Sequence, residues 1–426
     1  MAGPAGRRAQ WSWAFYDWAN SAFATTVMAG FFPVFFKSYW AAGMPATEST
    51  VRLGTANAIA SMLVVLLAPL LGVIADRSGR KKGLLLLLAT LGVLMTVGLF
   101  LVAEGYWLVA VGLYVLGVIG FAGANVAYDA MLLDVAEKSE LERVSALGFA
   151  LGYLGGGLLF AINVAMVLYP ESFGLADKAQ AVRFAFLTVA IWWAVFSVPV
   201  MLFVHEGPRP QTQAVGVGLR QTWRELGESW RLLRSLRMAF IFLLAYWCYI
   251  DGVDTIVRMA VDYGLSLGFA AESLLMALLI TQLVGFPAAL VFGWIGDRIG
   301  AKKAIWLALV IYVIVVFWAW RMTASWEFYG IAVVIGLVQG GIQAMSRALF
   351  ARLIPPQHAG RLFGLYNMMG KFAAVIGPLL VGWVTVLTDS SRSGILSILM
   401  LFLAGAWLLS RVDVALGEQE AKSQGV

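Results

Sequence analysis

Gly72-Val73-Ile74-Ala75-Asp76-Arg77-Ser78-Gly79-Arg80-Lys81-Lys82 and Gly293-Trp294-Ile295-Gly296-Asp297-Arg298-Ile299-Gly300-Ala301-Lys302-Lys303 are two copies of one short pattern, 221 residues apart, each joining two apolar segments. Both read G-x-x-x-D-R-x-G-x-K-K. A glycine closing an apolar helix, followed at once by a basic cluster, marks a tight turn between two helices. Its recurrence at corresponding places implies a chain built from two related halves.

Outward from these turns the sequence is apolar almost throughout. Hydrophobic residues make up 61% and charged ones 13%, against about a quarter charged in a soluble domain. Segments of about twenty apolar residues, enough to cross roughly 30 Å of hydrocarbon as helices, are expected at 11–37, 53–75, 83–103, 106–134, 145–169, 182–204, 238–262, 271–296, 303–321, 327–352, 361–387 and 393–411. The reading is an integral, multi-pass, all-α membrane protein of twelve transmembrane helices in two pseudo-symmetric six-helix bundles. The apolar run after Arg7-Arg8 is too long for a signal segment and contains Asp17 and Asn20, so it reads as an uncleaved first span.

Basic residues are retained on the cytoplasmic side. With the N-terminus cytoplasmic, only Lys37, Arg52, Lys178, Arg183, Arg321 and Arg392 fall on the opposite side, while both signature loops, Arg7 and Arg8 fall inside. Both termini are therefore expected in the cytoplasm, in the inner (cell) membrane. The net charge of +6 reports topology and contact with the lipid bilayer rather than nucleic-acid binding. Cys248 is the single cysteine and the two histidines, His205 and His358, fall in loops, which excludes disulfide frameworks and a Cys/His metal site. No G-x-x-x-x-G-K-[ST] nucleotide loop is present, so no cofactor is expected.

One charged interruption, 205–237, divides an N-terminal bundle (1–204) from a C-terminal bundle with a short tail (238–426). Within it Leu219, Trp223, Leu226, Trp230 and Leu233 recur at helical spacing opposite Arg220, Arg224, Arg231 and Arg234. That pattern predicts an amphipathic helix in the headgroup layer. The halves also repeat in polar positions. Asp17, Asn20 and Ser21 match Asp251, Asp254 and Thr255, and Asn125 and Asp129 match Gln339 and Gln343, as expected of helices lining a shared cavity.

The paired turns resemble the signature loop of the major facilitator superfamily. Trp13-Ala14-Phe15-Tyr16-Asp17-Trp18-Ala19-Asn20-Ser21 and the run Gly148-Phe149-Ala150-Leu151-Gly152-Tyr153-Leu154-Gly155-Gly156 resemble its vacuole-effluxer-like branch, whose eukaryotic relatives are autophagy-related amino-acid exporters. Where that branch leads one to expect N-x-x-L-P-[ED] at the end of the fourth span, this chain has Asp129-Ala130-Met131-Leu132-Leu133-Asp134. The resemblance implies a secondary active transporter, not an enzyme, moving a small-molecule substrate by alternating access. Amino acids are the implied cargo, exported with protons as coupling ion, by a monomer. The same fold carrying a sugar, drug or lysolipid stays open, with a membrane enzyme or receptor as a remote alternative.

Ionisable residues inside spans are costly and usually face a wet cavity or a partner. The substrate or coupling candidates are Asp17, Asn20, Asn125, Asp129, Asp251, Asp254, Gln339, Gln343, Arg347, Asn367 and Lys371. Lys371 and Asp251 lie near mid-span. A cation there suits a carboxylate or phosphate, and Asp251 or Asp254 suits an ammonium, yet an ion pair holding the halves together fits Lys371 too. Asp17 and Asp129 are each read as a proton carrier or a structural partner. Gln339, Gln343 and Arg347 form one stripe at i, i+4, i+8. Asp76, Arg77, Arg80, Asp297 and Arg298 are assigned to a cytoplasmic gate, each Asp accepting from a neighbouring helix N-terminus and pairing with Arg. Trp247, Tyr249 and Tyr153 lie close enough to these positions to line the cavity.

Overall fold

The computed structural model describes residues 6–206, 219–266 and 271–424. Among them there is no strand, and twelve helices are long and apolar enough to cross a membrane. These are α1 (Arg7–Trp40), α2 (Ala46–Ser78), α3 (Lys81–Leu101), α4 (Trp107–Val135), α5 (Leu141–Leu168), α6 (Lys178–Phe203), α7 (Arg237–Ser266), α8 (Ala271–Ile299), α9 (Ala301–Arg321), α10 (Ser325–Arg352), α11 (Ala359–Thr388) and α12 (Ser391–Ser410). Each expected span falls on one of them, with ends differing by a turn or two.

The repeated glycine of the signature turns has a conformational role. Gly79 and Gly300 take φ of 58° and 86°, a region a side chain disfavours, and so turn the chain directly from α2 into α3 and from α8 into α9. In α1 the backbone widens to i→i+5 turns over Phe23–Phe31 and Phe36–Trp40. Pro33 lies between them; lacking an N–H, it interrupts the regular ladder that would otherwise run through the helix.

Helices α1–α6 form one bundle and α7–α12 the other. The bundles meet where α2 packs on α11 and where α5 packs on α8 and α10. Glycines set these approaches: a Cβ at Gly72 would run into the Gly360 backbone, and one at Gly364 into Ala68 O at 2.7 Å. Without a hydrophobic drive between helices in lipid, such small-residue contacts supply the packing.

Both signature turns and two shorter helices share one end of the molecule, the basic end. The linker helix Leu219–Ser235 packs in part against the bundles. Ser229 and Leu233 are fully buried, Trp230 meets the edge of Phe240, and Glu225 lies 3.3 Å from Arg77 at the end of α2. The burial of Leu219, Arg220 and Trp223 lies outside the described residues, as does residue range 207–218 of the expected connector. Where a short tail was expected, Val414–Ser423 is a helix, capped by Asp413 accepting from the Leu416 amide at 3.1 Å.

Candidate functional site

Between the bundles lies a cavity of about 370 Å³, large enough for a small solute with water. It is walled by α1, α4 and α5 on one side and α7, α8, α10 and α11 on the other. Every expected substrate or coupling residue except Asp251 lines it. Period 3.6 is the reason: each polar stripe occupies one face of an otherwise apolar helix, and only the central cavity can solvate that face.

At the basic end of the cavity Arg347 crosses from α10 to the opposite bundle. Its Nη1 donates to Asp129 Oδ1 at 3.1 Å, its Nε to Ser145 Oγ at 2.9 Å and its Nη2 to the Ser145 carbonyl at 2.8 Å. Ser145 in turn donates to the Ala344 carbonyl at 2.8 Å. Asp17 Oδ2 lies 3.7 Å from Nη1 and accepts from Tyr128 Oη at 3.2 Å. Asn367 of α11 donates to the second Asp129 oxygen at 2.9 Å. Rings of Trp13, Tyr128 and Phe149 surround the guanidinium, at 4.9, 5.3 and 4.4 Å from its carbon, adding cation–π attraction in a site where Arg347 is 3% exposed. Two carboxylates from one bundle thus converge on one guanidinium from the other.

Farther along the cavity, Asn20 donates to Asn125 at 2.6 Å and Gln282 to Thr25 Oγ1 at 2.9 Å, the latter across the bundles from the i→i+5 turns of α1. Asp254, Gln339, Gln343 and Lys371 complete the wall. Asp251 points elsewhere. It is 1% exposed and both its oxygens accept from the Gly377 amide, at 3.0 and 3.1 Å, joining α7 to α11 immediately before Pro378. One turn of α7 separates it from Asp254, and that rotation decides which acid meets the cavity. Of the three aromatics named from sequence, Tyr153 lines the cavity; Tyr249 is buried and bonded to Ser346 Oγ at 2.6 Å, and Trp247 is not in the wall.

The signature residues divide. Asp76 accepts from the amides of Gly360 at 2.6 Å and Arg361 at 2.8 Å, and lies 3.5 Å from Arg361 Nε, so the N-terminus of α11 is clasped to the end of α2. Asp297 is exposed, Arg298 lies over Trp294 at 3.8 Å, and Arg80 is exposed. Opposite Asp297 a different pair joins the bundles: Arg352 of α10 donates from Nε and Nη2 to both oxygens of Glu142 at the start of α5, at 2.6 and 2.7 Å. Sequence reasoning missed Glu142, Arg352 and Ser145. At the ends of spans such residues read as interfacial charge, and no spacing within one helix reveals a partner 200 residues away.

Solved structures share this architecture. The human organic anion transporter MFSD10 superposes with a TM-score of 0.72 at 16% identity, covering 94% of this chain and 98% of that one. The proton:xylose symporter XylE does so at 0.70 and 16%, covering 98% of each. Twelve helices around a polar cavity make this chain an integral membrane protein with the fold those transporters share.

The family model described as "Vacuole effluxer Atg22 like" matches residues 5–422, and the chain belongs to that family. It is 38% identical over 403 residues to the uncharacterized MFS-type transporter YxiO of Bacillus subtilis, covering 94% of both chains. It is 26% identical over 336 residues to autophagy-related protein 22-2 of Emericella nidulans, covering 71% of this chain and 57% of that longer one.

Proposed function

We propose that this transporter exports amino acids by alternating access, with protons as the coupling ion. The observation that carries the reading is that acids and bases line a single cavity, Asp17, Asp129 and Asp254 with Arg347 and Lys371. A zwitterion needs both signs of charge within a few ångströms, whereas a sugar or an apolar drug needs neither. The family description speaks of efflux, which supports export. The basic end then faces the cytoplasm of a cell with this protein in its inner membrane, both termini inside, and Asp76 holds the gate there, with Arg77, Arg80, Asp297 and Arg298 around it at the same end and Asp297 in a peripheral place. The functional units are 1–204 and 238–426, joined by 205–237, in a monomer.

The test is thermal stability of the purified protein against amino acids, sugars, lysolipids and drugs. A specific ligand stabilises by about 2.7 kcal/mol at a hundredfold excess over its Kd. A melting shift with amino acids that disappears in Lys371→Ala is expected. A shift confined to sugars, drugs or lysolipids overturns the cargo assignment.

A further inference from the structure

Arg352 has two acidic partners, and they belong to different bundles. Glu142, 2% exposed at the start of α5, takes Nε and Nη2; Glu418 of the terminal helix lies 3.3 Å from Nη1. The terminal helix is anchored to the same bundle as Arg352. Glu420 accepts from the Met238 amide at the start of α7 at 3.0 Å, and Gly417 fits so closely against Leu353 and Met238 that a Cβ there would collide with both. Glu418 is therefore held in place by contacts other than its own ion pair.

We infer that Glu418 is a positioning residue of the transport cycle, the resident counter-ion that keeps Arg352 paired when the basic end opens and Glu142 departs with the other bundle. This rests on the alternating-access reading above. With the basic end closed, two carboxylates share one guanidinium and repel each other; with it open, Glu418 alone remains. The repulsion exists only in the closed state and the remaining pairing matters most in the open one, so both favour opening. Loss of the Glu418 charge therefore shifts the molecule toward closure, the reverse of what loss of a brace would do.

The experiment uses the full chain in lipid nanodiscs, with Cys248→Ser and spin labels at Glu137→Cys and Lys303→Cys, two exposed sites at the basic end of opposite bundles. The inter-label distance distribution gives the ratio of open to closed molecules. Glu418→Gln is expected to lower that ratio about two- to fivefold, the range of a partly exposed ion pair, and Glu418→Asp to restore most of it. In a background carrying both Arg352→Gln and Glu142→Gln, which removes the guanidinium Glu418 pairs with and the carboxylate it repels, Glu418→Gln is expected to change nothing. An unchanged or raised ratio, or an equal effect in that background, overturns the inference. A single distance for the parent protein across pH and the amino-acid panel overturns alternating access itself, and this role with it.

Discussion

The guanidinium of Arg347 concentrates the chemistry of the site. Buried at 3% exposure, it depends on Asp129, Ser145 and the aromatic rings around it. Removing one member of such a buried pair typically costs about 3–5 kcal/mol because the other is left uncompensated. Arg347→Gln is expected to lower the melting temperature of the purified protein strongly, and Asp129→Asn added to it to recover part of the loss, which a thermal double-mutant cycle measures. Asp17 stands differently. It is 3.7 Å from Arg347 and accepts from Tyr128, while Asp129 is held by two donors at shorter range. With proton coupling, Asp17→Asn is expected to flatten the pH dependence of amino-acid transport in proteoliposomes, whereas Asp129→Asn lowers transport at every pH. At this scale the sequence was a good guide to which side chains meet the cavity and a poor guide to their partners. A polar stripe is written within one helix, whereas a contact such as Arg347 to Ser145 depends on how two distant helices are set against each other.

At the scale of elements, one close approach between the bundles is made of backbone. Gly72 of α2 and Gly360 of α11 leave no room for a side chain between them, and Asp76 holds the α11 N-terminus just beyond. Gly72→Val is expected to prevent this approach and leave the basic end open, which spin labels at Glu137→Cys and Lys303→Cys in a Cys248→Ser background report as a longer separation than in the Gly72 protein. The membrane helices were legible because apolar length and glycine-closed turns are local properties. Three features were not. The wide turns of α1 follow from the interrupted ladder near Pro33, and an i→i+5 bond leaves no mark on apolar composition. The linker helix shows an apolar stripe whether it meets lipid or protein, so its docking on the bundles depends on the tertiary fit. The terminal helix, Val414–Ser423, is too polar to register as a span.

For the molecule as a whole, the sequence repeat is more regular than the structure it produces. Asp76 and Asp297 occupy the same place in the two signature turns, yet Asp76 clasps α11 while Asp297 is exposed and the corresponding junction is made by Glu142 and Arg352. Asp76→Asn is expected to reduce transport about tenfold or more, since it weakens an acceptor serving two amides and a guanidinium. Asp297→Asn is expected to stay within about twofold, as substitutions at exposed positions generally do. Paired transport assays of the two variants check this. An inherited duplication therefore does not confer redundancy here: the second copy is no spare for the first, because a lesion at Asp76 has no relief from its twin on the far side of the pseudo-symmetry axis. A mutational scan of the full chain would register the two turns as unequal, one intolerant and one permissive, and an alignment of the halves alone would give no warning of it.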